Sequence, residues 1–429
     1  MQKKSLWMVV IIMILIPSLS GCSLNTGMDE GPAASETPSP SDMPVQPIDT
    51  PSPTPEPTPA CSIENEIEEI LSSMSLEEKL GQLLVVGYQD DEQARRMIRD
   101  YGVGGMVLFS RSFDTFEQLY SINEQLKEYN RDNQLPLWIA LDEEGGTVSR
   151  LPKGKTPIPG AAKVGSFNDT ELTRSTGWVI GRELAAAGAN LDFAPVVDIV
   201  DNPENKFMIK RSYGSTPELV SEHGTAFLQG LKETGVQGCA KHFPGHGGTI
   251  VDSHKNMPVI SSTLEEWLQK DAIPFQAMID AGVDMIMAGH LSFPNIDQSG
   301  LPASMSQVFL QDLLRNRMGF EGLIITDDIE MQGYPQGNER KEAVIASFLA
   351  GVDLFAIGQT PHVQMDVLEA LKEGAASGRI TEERINDSLR RIIRAKLKLD
   401  AIPQYSLEEA KQIFGSDEHK IKVSRLIED

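Results

Sequence analysis

The chain has 429 residues, 40% of them hydrophobic, which is enough for one large buried core or two ordinary ones. Its 38 basic and 62 acidic side chains leave a formal charge of -24, which repels phosphate backbones and anionic headgroups and argues against nucleic acid as a partner. Three cysteines supply neither a disulfide framework nor a zinc-ligand spacing.

At the amino terminus Lys3 and Lys4 precede an apolar run from Leu6 to Ile16. That run is too short to cross a bilayer of roughly 30 Å and has the order of a secretory signal. Leu19-Ser20-Gly21-Cys22 resembles a bacterial lipobox, which predicts a signal peptide over residues 1–21 and a lipidated Cys22 as the first mature residue. A plain signal peptide with an incidental cysteine is the alternative. Residues 31–60 hold ten prolines among Ser, Thr and acids, with little apolar surface to bury. Residues 22–61 are therefore read as a tether, partly extended as polyproline II at about 3.1 Å per residue. The expectation is an extracytoplasmic protein that meets the cell membrane only through this lipid anchor. Cys61 ends the tether and Cys239 falls in an expected buried strand, leaving a disulfide between them open.

From residue 62 the pattern alternates short apolar runs with amphipathic helical stretches. Ser75-Leu76-Glu77-Glu78 reads as a capping box opening a helix. Strands are expected at Leu83 to Gly87, Gly105 to Phe109, Leu137 to Leu141, Leu191 to Val197, Gly238 to Ala240, Met285 to Ala288, Leu323 to Ile325 and Leu354 to Ile357. Helical stretches between them include Phe116 to Tyr129, Glu171 to Ala187, Pro217 to Glu233, Leu264 to Ala281 and Gln307 to Met318. Eight apolar strands separated by helices argue a parallel sheet buried on both faces, and eight closes a (β/α)8 TIM-type barrel; an open doubly wound sheet is the alternative. The catalytic domain is read as residues 62–400, closed by a helix from Thr381 to Leu399, with 401–429 a charged extension of unassigned structure. Strand after strand is followed by acids or histidines: Asp142-Glu143-Glu144, Asp198, Lys241-His242, His290, Asp327-Asp328. In a barrel these positions converge on the carboxyl-terminal rim, where active sites of this fold lie.

His242 and His246 have a zinc-ligand spacing, but Pro244, Gly245 and Gly247 break the helix that spacing needs, so a glycine-rich loop over a pocket is the stronger reading. Asp252 and His254 are two apart, so in an extended loop the carboxylate can orient the ring as a general acid/base; an ordinary polar pair is the alternative. Asp327 at a strand end suits a nucleophile, a base or a metal ligand, and equally a solvated turn. Asp142 has the same ambiguity. Arg150 and Arg211 are placed to hold these acids or a ligand.

These segments together resemble the β-N-acetylhexosaminidases of glycoside hydrolase family 3. The motifs run in order: Asp142-Glu143-Glu144-Gly145-Gly146-Thr147-Val148-Ser149-Arg150-Leu151, Phe193-Ala194-Pro195-Val196-Val197-Asp198, Arg211-Ser212-Tyr213-Gly214, Lys241 to His254, and Gly322 to Asp328. The resemblance selects Asp327 over Asp328 as nucleophile, His254 as acid/base and Asp252 as its orienter. It assigns Asp142, Arg150, Arg211, Lys241 and His242 to the hydroxyls of a terminal sugar. It implies a retaining exo-β-N-acetylglucosaminidase that acts on peptidoglycan fragments or other glycans, without metal or organic cofactor, and a monomer is expected. A neutral histidine base places no second negative charge before an anionic acceptor, so phosphate can compete with water. The alternatives are a β-glucosidase or β-xylosidase of the same family and a non-catalytic sugar-binding lipoprotein.

Overall fold

The computed structural model describes residues 59–251, 253 and 256–427. The signal, Cys22 and most of the tether lie outside the described residues, as do Asp252 and His254. Among the described residues no helix is long and apolar enough to cross a membrane.

Eight strands form the centre: β1 (Leu84–Gly87), β2 (Gly105–Val107), β3 (Trp138–Leu141), β4 (Leu191–Asp192), β5 (Gln237–Phe243), β6 (Met285–Ala288), β7 (Leu323–Thr326) and β8 (Phe355–Ile357). All pairings are parallel, in the order β7-β6-β5-β4-β3-β2-β1-β8. The ends meet through a bridge between Ile325 and Leu354. The seam is sealed by Leu354 N–H to Ile324 O (3.1 Å), Thr326 N–H to Leu354 O (3.0 Å) and Ala356 N–H to Thr326 Oγ1 (3.1 Å). This is a (β/α)8 barrel, and closure leaves no open sheet edge. Every strand residue is buried, because helices cover the outside and side chains fill the inside, which is why the strands read as continuous apolar runs.

Several expected elements differ. The run from Leu191 to Val197 pairs regularly only at its first two residues. Pro195 has no N–H to donate to the ladder, yet contact with β5 continues through Ala194 O and Pro195 O, which accept from Cys239 N–H (2.9 Å) and Lys241 N–H (3.1 Å), and through Val197 N–H, which donates to Lys241 O (2.8 Å). The helix expected from Leu264 to Ala281 is two, Leu264–Gln269 and Ala272–Asp280. Pro274 explains the break, since in one continuous helix its ring would strike the carbonyl of Lys270. Val308–Arg317 is a π-helix. Cys239 is a free, buried thiol.

The extension beyond residue 401 folds as well. Leu407–Ile413 opens with a capping box of Ser406 and Glu409, followed by Asp417–Lys422 and Ser424–Ile427. These short helices pack on Thr170–Ala186 and Phe116–Asn130, where Phe414 stacks on Phe116 at 4.2 Å. At the amino-terminal end of the barrel the fully buried Lys396 donates to Gln82 Oε1, Gly104 O and Pro136 O, each at 2.7 Å, and lies 4.5 Å from the Trp138 ring centre.

Candidate active site

The carboxyl-terminal rim gathers the polar residues. β3 delivers Asp142 and Glu144, two positions apart and therefore on one side of an extended chain. β5 carries a register shift relative to β6 between Ala240 and Phe243, and this irregularity lets the consecutive residues Lys241 and His242 both reach the same pocket. They lie inside β5 rather than just beyond it.

Lys241 Nζ sits 2.7 Å from Asp142 Oδ1 and 2.7 Å from Glu144 Oε1. Arg211 grips Glu144 with both arms, Nε to Oε2 at 2.8 Å and Nη2 to Oε1 at 2.7 Å. Two cations thus face two carboxylates in a nearly dry setting. Burial alone would raise the Glu144 carboxyl, but Lys241 and Arg211 outweigh it and hold it at about 2. Burial pushes Lys241 down, and Asp142 and Glu144 more than reverse this, so its ammonium is held above the ordinary range.

Asp198, fully buried, organises the histidines. It lies 2.7 Å from His242 Nδ1 and accepts the His246 N–H at 2.6 Å. Burial raises its carboxyl, but His242 and the other donors bring it below the usual aspartate value. With Nδ1 directed at a carboxylate, His242 turns Nε2 toward Arg211 Nη2 at 3.5 Å. His246 Nε2 lies 2.9 Å from Ser253 Oγ, so no helical zinc pair exists here; burial and the neighbouring His242 push His246 down to about 4. Among the described residues no acidic, histidine or cysteine cluster suits a metal ion.

Asp327 follows β7, with its N–H on Ala288 O (2.9 Å) and its Oδ1 accepting the Asp328 N–H (2.8 Å). Asp328 is engaged differently. Its Oδ1 accepts the N–H groups of Glu330 (3.0 Å) and Gly358 (2.9 Å), and burial lifts its carboxyl to about 6. Arg150 arrives on the loop after β3, whose turn is tied by Glu143 to the N–H groups of Arg150 (2.7 Å) and Leu151 (2.8 Å); its Nε is buried without a hydrogen-bond partner.

A cavity of about 320 Å³ opens among these residues, with Phe109, Phe207, Met208 and Met331 as apolar walls; Glu144 and Asp198 do not line it. Asp142, Arg150, Arg211, Lys241, His242 and Asp327 all line it, so six of the residues singled out in the sequence come together. Clefts of about 400 and 700 Å³ open at the opposite end of the barrel, where Arg394 and Lys398 are paired with Glu64 and Asp284.

The motif order and this geometry have a counterpart in known proteins. The family model for the glycosyl hydrolase family 3 N-terminal domain matches residues 75–395. The chain belongs to glycoside hydrolase family 3. It is 36% identical over 300 residues to a β-hexosaminidase of Thiobacillus denitrificans, covering 68% of this chain and 82% of that one. Its fold matches a family 3 β-N-acetylglucosaminidase from Paenibacillus sp. at a TM-score of 0.79 and 35% identity, over 82% of this chain and 68% of the other. The β-glucoside phosphorylase BglX is similar at a TM-score of 0.77 and 27% identity, over 85% and 66%. The chain is thus a glycoside hydrolase of family 3, and the cavity described above opens at the carboxyl-terminal rim of its barrel.

Glu144 and Asp198 were not among the substrate-contact residues read from sequence, though each stood at a strand end. The available signal was Glu144's spacing from Asp142, since residues two apart share a face. Nothing local showed that its partners would be Lys241 and Arg211, 97 and 67 positions along the chain.

Proposed function

We propose that the protein is a retaining exo-β-N-acetylglucosaminidase that removes terminal N-acetylhexosamine from glycans, peptidoglycan fragments among them. The observation that carries this is the convergence of Asp327 with Asp142, Lys241, His242, Arg150 and Arg211 on one cavity in a family 3 chain whose relatives include β-hexosaminidases. A volume of about 320 Å³ suits one sugar ring, within the lower range of small-molecule pockets.

Asp327 attacks the anomeric carbon and forms a glycosyl ester, while His254, oriented by Asp252, protonates the leaving oxygen and then deprotonates water. Support for Asp327 over Asp328 comes from the backbone N–H groups that occupy Asp328 Oδ1 and from the burial that favours its protonated form. A nucleophile must be ionised. Asp142, Lys241 and Arg211, their charges fixed by each other and by Glu144, offer donors and acceptors to sugar hydroxyls, and Arg150 lines the same cavity. The protein acts outside the cytoplasmic membrane, held by a lipid on Cys22.

Hydrolysis of a chromogenic β-GlcNAc substrate, compared with the β-GalNAc, β-glucose and β-xylose analogues, tests the activity. Turnover is expected with β-GlcNAc and is expected to fall by on the order of 10⁴-fold or more in Asp327→Ala. Survival of turnover in that variant overturns the nucleophile assignment. Similarity to the β-glucoside phosphorylase favours a second reading, phosphorolysis, and sugar 1-phosphate formed in phosphate buffer is its signature.

A further inference from the structure

The loop that brings Arg150 into the pocket is held between two buried glutamates, and one of these is reached from the far end of the chain. Glu143 holds the loop from the barrel side, accepting from Arg150 N–H, Leu151 N–H, Ser149 Oγ and, at 2.7 Å, Lys155 Nζ. The next residue faces the other way. Thr156 donates its N–H to Glu183 (3.1 and 3.2 Å to the two oxygens) and its hydroxyl to Glu183 Oε1 (2.6 Å). Glu183 stands on the helix Thr170–Ala186 and is 2% exposed, so every donor it has must come from protein.

The remaining donors come from the carboxyl-terminal segment. Gly415 N–H reaches Glu183 Oε1 at 3.0 Å, and so does His419 Nδ1 at 3.0 Å, its ring buried edge-on to Trp178. The two backbones also touch directly: a Cβ on Gly415 would lie 1.8 Å from Gly154 O, and Gly415 has a φ of +62°. The segment is fixed in turn by Tyr120 OH to Tyr405 O (2.6 Å), Arg182 to Tyr405 OH (2.5 Å) and the Arg425–Asp169 ion pair.

We propose that residues 405–427 are a positioning element for the sugar-binding loop, setting the place of Arg150 through Glu183 and the Gly154–Gly415 contact. The proposal rests on the sugar-binding role given to Arg150 above. Clamped from both sides, the loop is ordered before substrate arrives, and the cost of ordering it does not fall on binding. A mere cover over the outer helices would add stability without reaching the pocket.

Two variants of the full chain test this. Gly415→Ala pushes a methyl group against Gly154 O, and His419→Ala removes one donor from Glu183. Each is expected to speed hydrogen exchange at the Arg150, Leu151 and Thr156 amides and to raise KM for a chromogenic β-GlcNAc substrate about five- to tenfold, with kcat changed less than about twofold. His419→Asn, whose amide nitrogen stands where Nδ1 does, restores both readings. Exchange and KM at wild-type values, with only a lower melting temperature, overturn the proposal. Arg150→Lys is measured alongside. If it raises KM and the tail variants do not, the positioning claim is overturned. If the tail variants speed exchange while neither they nor Arg150→Lys moves KM, the clamp stands and the sugar-binding role of Arg150 fails.

Discussion

Among the lysines buried in the described residues, Lys241 and Lys396 lie near opposite ends of the barrel, and their surroundings differ in kind. Lys241, at the mouth, is neutralised by Asp142 and Glu144. Lys396, at the base, meets only uncharged oxygens and the face of Trp138. Burial pushes Lys396 well below the ordinary lysine value, yet all three of its partners are acceptors at 2.7 Å. A neutral amine has two N–H groups, so satisfying three acceptors favours the ammonium. The base is thus a closed hydrogen-bonded plug. At the mouth the partners retain capacity: the Asp142 side chain is 19% exposed, and its second oxygen remains available to a ligand. The same buried cation is sealed off where its partners are used up and open to a ligand where they are not.

The sharpest break in this contrast is Lys241→Met. It leaves Asp142 without its cation and Glu144 with Arg211 alone. Loss of one member of a buried ion pair costs about 3–5 kcal/mol, and kcat/KM is expected to fall on the order of 10²- to 10³-fold. Denaturant unfolding and steady-state kinetics measure the two effects. Lys396→Met should separate them. Three acceptors lose their donor, so stability drops by about 1–3 kcal/mol while kcat and KM keep their wild-type values. A changed KM in that variant would show that the two ends are coupled.

Glu144→Gln sharpens the comparison through pH. The Glu144 carboxyl sits at about 2 in the folded protein against an ordinary value of 4.5. A depressed folded value means that the unfolded chain binds the proton more readily, so ionised Glu144 stabilises the fold above pH 4.5 and this contribution drains away as pH falls toward 2. The loss of melting temperature between about pH 5 and pH 3 should therefore be smaller in Glu144→Gln than in the wild type. An equal or larger loss in the variant would show that Glu144 is not held ionised by Lys241 and Arg211.

The barrel was legible because burial on both faces leaves a local trace, as in Met285–Ala288, where expected and observed strands coincide. Where prolines interrupt the pattern the reading failed, at Pro195 in the fourth strand and at Pro274 in the first turn of the helix Ala272–Asp280. The carboxyl-terminal helices were missed although Ser406-Leu407-Glu408-Glu409 repeats the capping signal of Ser75-Leu76-Glu77-Glu78, and both form capping boxes. Charged surroundings obscured the second. Residue types at the site were readable from strand ends, but their partnerships were not. That Arg211 grips Glu144, and that His419 reaches Glu183, depends on contacts across 67 and 236 positions, which only the closed barrel creates.

The central claim is that this mouth forms a covalent bond to sugar at Asp327. The most direct measurement is intact mass followed by peptide mapping after incubation with a slow, fluorinated β-GlcNAc glycoside bearing an activated leaving group. The account predicts a gain of one fluorinated sugar, located on Asp327 and absent in Asp327→Ala. Turnover without any adduct, or an adduct on another carboxylate such as Asp142 or Asp328, would contradict it.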